Sequence, residues 1–345
     1  METLRECLSY DDVLLVPSHS DILSRTEIDI SNEMDEYIKL EMPIIASPMD
    51  TVCEWKMAAI MSRLGGLGVI HRYNTIPQQS TLVGRAVRTL SMSGDRICVA
   101  AAIGATGDAI ERAHELVDAG AEVLCVDIAH GHHSLMKEVL YRIKKSLGAS
   151  VHVMAGNIAT RKAYEELSEW GADSIRVGIG GGSICSTRIQ TGHGVPTLTS
   201  ILDCVSSSYD TPIVADGGIK NSGDMVKALA AGADFIMIGS LLAGTNQTPG
   251  AVSSIDGNKY KIYRGMASKE AQTNWKGSAG FSEGISTMVP YKGDAGYVLK
   301  ELREGVLSGF SYSGAKNIEE LWFKSRFIKQ TAAGQSESST HITKR

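Results

Sequence analysis

Eight times along the chain, a short apolar run is followed by glycine or polar residues and then by a segment with helical periodicity. No other feature limits the possible folds so strongly. The runs fall at residues 43–47, 67–70, 97–103, 123–128, 151–155, 174–178, 212–215 and 235–238. They are apolar throughout rather than alternating, which is how strands buried on both faces read. The intervening segments are amphipathic. After Ser134, residues Leu135, Met136, Val139, Leu140 and Ile143 form one apolar stripe with charges opposite. Thr160 and Ser222 suit the N-cap positions of later helices. A weak internal repeat supports the count: Gly120-Ala121-Glu122, Gly171-Ala172-Asp173 and Gly232-Ala233-Asp234 each close a helix and precede a strand. Glycine is favoured there because the residue past a helix end is often left-handed. Eight such units predict an α/β fold, a closed parallel (β/α)8 barrel. A doubly wound open sheet is the rival; it usually has fewer strands and a GxGxxG after the first, which this chain lacks.

The barrel is expected to end near Gly244. In the segment beyond it, Asp256-Gly257-Asn258 predicts a hairpin turn between a strand containing Val252 and one at 260–263. Residues 275–284, rich in Gly and Ser, predict a mobile loop within a flap at about 267–292. The expected organisation is a single catalytic barrel domain over residues 1–330, flap included, and a polar, weakly ordered tail over 331–345.

With 345 residues, 43% of them hydrophobic, and a net charge of −5, the chain is long enough for one large core. It carries no basic stripe of the kind that sequence-independent nucleic-acid binding needs. No apolar run reaches membrane-spanning length, and the charged start Met1-Glu2-Thr3-Leu4-Arg5-Glu6 does not read as a secretory leader. The six cysteines include no CxxC and suggest neither a disulfide framework nor a zinc site, so a cytoplasmic protein is expected. Cys98 and Cys125 lie inside apolar runs and read as core.

Barrel enzymes place their chemistry at the C-terminal strand ends. Here those ends hold Ser47, Met49 and Asp50; His71 and Arg72; Asp127 and His130; Gly156 and Asn157; Ser183, Cys185 and Thr187; Asp216, Gly217 and Gly218; and Gly239 and Ser240. In the sixth unit the strand runs into Gly178-Ile179-Gly180-Gly181-Gly182-Ser183-Ile184-Cys185-Ser186-Thr187-Arg188. Such glycines let a backbone turn tightly with its N–H groups free for an anion. A cysteine beside such a nest and an arginine is in a setting that favours the thiolate. The ends of strands seven and eight are where barrels commonly hold a phosphate, and Asp216 just before that site can accept from a ribose diol. Together these features predict a phosphate-bearing ribonucleotide with a reactive cysteine near its base. Taken singly, each Asp could equally cap a helix, and His71 and His130 could be satisfied strand-end residues.

These motifs match a known family. Residues Leu8-Ser9-Tyr10-Asp11-Asp12-Val13-Leu14-Leu15-Val16-Pro17, Ala46-Ser47-Pro48-Met49-Asp50-Thr51-Val52, the cysteine loop, Asp216-Gly217-Gly218-Ile219, Gly239-Ser240-Leu241-Leu242-Ala243-Gly244 and Tyr263-Arg264-Gly265-Met266 occur in order. On them the chain resembles the IMP dehydrogenase/GMP reductase family over nearly its whole length, with Gly181 where the family usually has proline. The resemblance implies that Cys185 attacks purine C2, that Thr187 orients the leaving or attacking group, and that the Glu283 carboxyl touches the purine edge. It implies phosphate contacts at Ser183, Gly218, Gly239, Ser240 and Tyr263, with Gly217 in the same turn, and a ribose contact at Asp216. Ser47 and Met49 then line the nucleotide, and Met266, with Gly265 and Gly284, meets the base. Asp127 and Asn157 fall at the dinucleotide. Further implications are NADPH or NAD as hydride carrier, a monovalent cation such as potassium on carbonyls of Gly178, Gly180 and Cys185, and a homotetramer. The regulatory module that many dehydrogenases insert has no room between Gln78 and Ile97.

Within the family the markers divide. Asp127-Ile128-Ala129-His130-Gly131-His132, Asp216-Gly217-Gly218-Ile219, Ser240 and the tail Ala333-Gly334-Gln335-Ser336-Glu337-Ser338 resemble dehydrogenases, which convert IMP to XMP with NAD and water. Thr191-Gly192, the short flap and Ser282-Glu283-Gly284 resemble reductases, which convert GMP to IMP and ammonia with NADPH. Dehydrogenases carry an Arg-Tyr pair in the flap, the arginine activating water, and residues 267–281 contain no arginine. Lys276 lacks the planar guanidinium fork. The expectation is therefore GMP reductase, with IMP dehydrogenase as the alternative. A flavin-dependent barrel oxidoreductase and a catalytically silent nucleotide-binding member are the readings from other classes.

Overall fold

The computed structural model describes residues 4–338. Eight parallel strands close into a barrel: Ile44–Ala46, Leu67–Ile70, Val99–Ile103, Val123–Asp127, His152–Ile158, Ser174–Val177, Ile213–Asp216 and Phe235–Ile238. Pairing of Ile236 with Ile44 joins the eighth strand to the first and seals the ring. The strands fall where the apolar runs predict them, with shifted ends. Pro43 and Pro212 stand outside their strands, because proline has no N–H to give to a ladder. The fifth strand runs on to Ile158, past the expected end at Ala155, and the sixth stops before Gly178.

The helix Ser134–Leu147 buries Met136, Val139, Leu140 and Ile143 as its stripe requires, whereas Leu135 lies on the solvent side, 37% exposed. Thr160 caps its helix by accepting from Ala163 N. Ser222 does not cap; Asn221 does, accepting from Asp224 N. The three glycines of the repeat have φ of +100°, +90° and +103°. In two of the repeats the following acid closes the barrel floor: Asp173 accepts from Val153 N and Asp234 from Ile213 N, each at 2.7 Å.

A hairpin of Asn32–Glu33 and Lys39–Leu40 plugs that floor, packing Met34, Ile38 and Leu40 against the barrel interior of Cys98, Cys125, Met154, Phe235 and Met237. Cys98 and Cys125 are thus core, as expected, and burial pushes their thiols up to about 12 and about 11. Asp35 from the hairpin takes His152 Nδ1 at 2.7 Å, and Ser174 Oγ lies 2.8 Å from Nε2.

After the eighth strand come three antiparallel strands, Ser253–Ile255, Asn258–Arg264 and Ser286–Pro290. The first two join through Asp256 (φ +49°) and Gly257 (φ +79°), the left-handed pair that a tight hairpin wants; Val252 lies just outside. Between Arg264 and Ser286 sits the flap, built on helix Lys269–Lys276, which Ser268 caps and Gly277 ends at φ +74°. Trp275 and Lys276 therefore belong to a helix and not to the irregular segment that follows. Helix Ala295–Ser313 packs against helices Trp55–Arg63 and Ser222–Ala230 to complete the outer ring. Strand Phe327–Lys329 returns to pair with Val13–Leu15. The start of the tail is regular where weak order was expected: Thr331 caps helix Ala332–Glu337, and residues 339–345 lie outside the described residues. Among the described residues no helix is long and apolar enough to cross a membrane.

Candidate active site

The C-terminal strand ends surround a cleft of about 700 Å³; every contact residue that the resemblance implies lines it, whereas Asp50, His71, His130 and Gly156 at the strand ends do not. Its shape follows from backbone contacts that tolerate no side chain. A Cβ on Gly178 (φ +147°) would stand 1.9 Å from Asp216 O, so the cysteine loop leaves the sixth strand flat against the end of the seventh. Arg188 donates to Val195 O at 2.7 Å and Ile179 O at 3.4 Å, so its guanidinium props the cysteine loop.

Cys185 is partly buried. Its Sγ donates to Thr187 Oγ1 at 3.2 Å, and that hydroxyl donates to Glu283 Oε2 at 2.7 Å. Glu283 arrives from the far end of the flap, where Ser186 N donates to Glu283 O (2.8 Å) and Ile285 N to Ile184 O (3.1 Å). Thiol, hydroxyl and carboxyl thus form one hydrogen-bonded line joining barrel loop to flap. The flap itself is stitched by Gln272, whose Nε2 donates to Ala267 O and Phe281 O, both at 3.0 Å. Trp275 stacks on Tyr73 at the cleft rim, with ring centroids 6.0 Å apart.

At the strand-eight end, a Cβ on Gly239 would meet Met49 Sδ, Tyr263 Oη and Ser47 Oγ within 3.4 Å. Four candidate residues therefore converge on one point. Tyr263 Oη lies 3.5 Å from Ser183 Oγ, and burial raises its pKa, keeping the phenol a donor. Met266 is fixed by Asp50 N–H to its sulfur (3.2 Å), and Asp50 is gripped by Arg264 at 2.5 Å. Two buried hydroxyls of residues lining this cleft, Tyr10 Oη and Thr197 Oγ1, have no hydrogen-bond partner among the described residues.

Across the barrel mouth runs a belt of charge. Arg176, buried in the sixth strand, donates to Asp127 Oδ1 (2.8 Å) and Asp216 Oδ2 (2.9 Å). Asn157 Nδ2 reaches the same Oδ2 and Gly178 O, each at 2.8 Å, and Arg72 stands 3.6 Å from Asp127. Burial opposes the Arg176 charge, but Cys125 and the two acids outweigh it and raise its pKa. Sequence reasoning missed Arg176, although a lone arginine inside an otherwise apolar strand is itself a signal. His71 is a satisfied strand-end residue, its Nε2 3.4 Å from Glu54, and neither it nor His130 lines the cleft. No cluster of three or more His, Cys, Asp or Glu residues that could hold a metal occurs among the described residues. The carbonyls of Gly178, Gly180 and Cys185 are a different kind of donor set, suited to a hard cation, and Gly178 O already accepts from Asn157.

The chain is similar to known proteins over almost its full length. A family model described as IMP dehydrogenase / GMP reductase domain matches residues 7–341. An inosine-5′-monophosphate dehydrogenase of Cryptosporidium parvum is 39% identical over 97% of this chain and 94% of its own. A GMP reductase of Leishmania major is 33% identical over 99% and 98%, in an alignment of 481 positions against 345 residues here, so that relative carries sequence this chain lacks. A crystal structure of a variant GMP reductase from Trypanosoma brucei, in complex with guanosine 5′-monophosphate, matches with a TM-score of 0.92 at 32% identity, covering 98% of both chains.

Proposed function

The chain belongs to the IMP dehydrogenase/GMP reductase family of nicotinamide-dependent oxidoreductases, and on that premise we propose that it reduces GMP to IMP and ammonia with NADPH. One observation carries the choice: the line Cys185–Thr187–Glu283 ends on a carboxyl, in a flap with no arginine from 267 to 281. Loss of ammonia from purine C2 needs a proton beside the departing nitrogen, which a carboxyl relayed through a hydroxyl can provide. The Cys185 sulfur bonds to C2, its proton leaves with the amino group as ammonia, and a thioimidate remains on the cysteine. A bound NADPH supplies the hydride for C2; with one proton from the site, the C–S bond breaks, releasing IMP and the thiol. Asp216 Oδ1 would accept from the ribose, since among the described residues the two side-chain bonds to this carboxylate, from Asn157 and Arg176, both use Oδ2. Ser183, Tyr263 and the turns at Gly217–Gly218 and Gly239–Ser240 receive the phosphate. Asp127, with Asn157 nearby, would contact the dinucleotide, and carbonyls of Gly178, Gly180 and Cys185 would hold potassium.

The second reading, IMP dehydrogenation with NAD, uses the same nucleotide contacts and the same thioimidate. The Cryptosporidium relative's name favours it. Dehydrogenation requires an activated water, and Lys276 would have to serve as base. Parallel assays of GMP with NADPH and of IMP with NAD decide between them. The expected result is sustained GMP-dependent NADPH consumption, with IMP and NAD giving at most one burst of hydride transfer. Sustained, potassium-dependent NADH production from IMP, lost in Lys276→Ala, would reverse the assignment.

A further inference from the structure

Most cations lining the cleft are already neutralised by acids. Arg176 is paired with Asp127 and Asp216, Arg72 with Asp127 and Lys220 with Asp11; Arg188 has no carboxylate partner among the described residues and is held on the carbonyls of Ile179 and Val195. Behind the wall, however, stand two lysines that have no carboxylate partner among the described residues. Lys261, 2% exposed, donates to Thr245 O at 3.2 Å and Thr248 O at 2.5 Å. Lys292, which is exposed at the outer edge of the same loop, donates to Ser240 O at 2.9 Å and Leu241 O at 3.0 Å. Both therefore converge on one segment, 240–248, which continues directly from Gly239 at the cleft. Side chains two apart on a strand share a face. Lys261 and Tyr263 are both buried in strand Asn258–Arg264, on either side of the exposed Ile262, so phenol and ammonium stand on the same side of it.

Burying a cation without an anion is unfavourable, and burial lowers the pKa of Lys261, with Lys56 adding to the effect; Lys292 is exposed, and partial desolvation against the loop lowers its pKa in the same direction. Their carbonyl partners carry only partial charge. An arriving dianion would relieve this imbalance, and the cations in turn would polarise the peptide groups of the loop toward it.

We infer that Lys261 and Lys292 are positioning residues that supply, from behind the 239–248 loop, the countercharge for the phosphate of the bound nucleotide. This rests on the reading of the cleft as a nucleotide site. It places the recognition of phosphate charge one layer behind the hydroxyls and N–H groups that would touch it.

The test is calorimetric titration of the full chain with GMP and with guanosine, in wild type, Lys292→Met, Lys292→Arg and Lys261→Met, alongside steady-state kinetics. Lys292→Met is expected to weaken GMP roughly tenfold while guanosine binding changes by less than about twofold, as loss of one charge near a dianion requires. The loss should fall on KM more than on kcat, and Lys292→Arg should recover most of it. Wild-type affinity for GMP should rise with pH as the second phosphate proton leaves, near a pKa of about 6, and Lys261→Met should flatten that rise. Should Lys261→Met fail to fold, the Lys292 pair decides. Equal losses for GMP and guanosine would make the lysines scaffold only and overturn the inference. A wild type that prefers GMP, with variants that keep both the preference and the pH slope, would overturn it while leaving the nucleotide reading intact. A wild type that binds GMP no better than guanosine would remove the nucleotide reading and the inference with it.

Discussion

Cys185, Thr187 and Glu283 meet because two backbone hydrogen bonds, Ser186 to Glu283 and Ile285 to Ile184, fasten the cysteine loop to the end of the flap. Removing the acid while keeping its shape isolates proton delivery from binding. Glu283→Gln is expected to lower kcat for GMP reduction by about a hundredfold or more with little change in GMP affinity, since an amide cannot donate as an acid does. Kinetics and titration on the same preparation check this. Cys185→Ser and Cys185→Ala should bind nucleotide and turn over nothing; a few per cent of residual activity in Cys185→Ala would remove the nucleophile assignment. Asp216→Ala should cost ribonucleotide binding about 1.5–3 kcal/mol, and 2′-deoxynucleotide binding less, because a charged acceptor for the sugar hydroxyls is lost. Equal losses for the two sugars would point to the Arg176 and Asn157 contacts instead. Cys185 was legible because a glycine-rich strand exit delivering one cysteine is a local pattern. Arg176 was not, because its charge makes sense only once acids from the fourth and seventh strands are seen on either side of it.

Among the elements, the flap and the floor behave differently from what their composition suggests. The glycines and serines at 277–284 hide the helix Lys269–Lys276, although Ser268 and Gly277 are ordinary start and stop residues for it. The Trp275–Tyr73 stack pins that helix to the cleft rim. An aromatic pair is worth about 0.5–1.5 kcal/mol, so Trp275→Ala should lower kcat/KM for GMP by about two- to tenfold. Lys276→Ala should leave GMP reduction unchanged. On the floor, the Gly-Ala-Asp repeat was legible, but the use of its acids as caps on neighbouring strands was not. Burial raises the Asp234 carboxyl to about 6, against its backbone hydrogen bond to Ile213 and the side-chain bond from Asn32. The folded state thus binds this proton more tightly than the unfolded chain does. The group's contribution to stability is greatest below its unfolded pKa of about 3.8, falls as pH rises to about 6, and is flat above. Asp234→Asn, which keeps an acceptor without the charge, should therefore be more stable than wild type by on the order of 1–2 kcal/mol near neutral pH, with the gain vanishing in acid. Denaturant unfolding across that range checks it.

At the level of the whole molecule, continuous apolarity marks strands buried on both faces, and it was the count of eight strand–helix units, with no GxGxxG after the first, that made a closed barrel legible over an open sheet. The floor hairpin at 32–40 was invisible because its strands are two residues each, too short to show any period. The barrel brings residues from seven of its eight strand ends and from the flap to one cleft, where hydride would reach purine C2 after ammonia has left it. The most direct measurement incubates the protein with GMP and NADPH carrying deuterium at the transferable position, then analyses the purine product by mass and the solution for ammonia. The expected result is IMP with one deuterium at C2, ammonia released in equal amount, and neither product from Cys185→Ala. Unlabelled IMP, or no IMP from GMP while IMP and NAD yield XMP steadily, would contradict it.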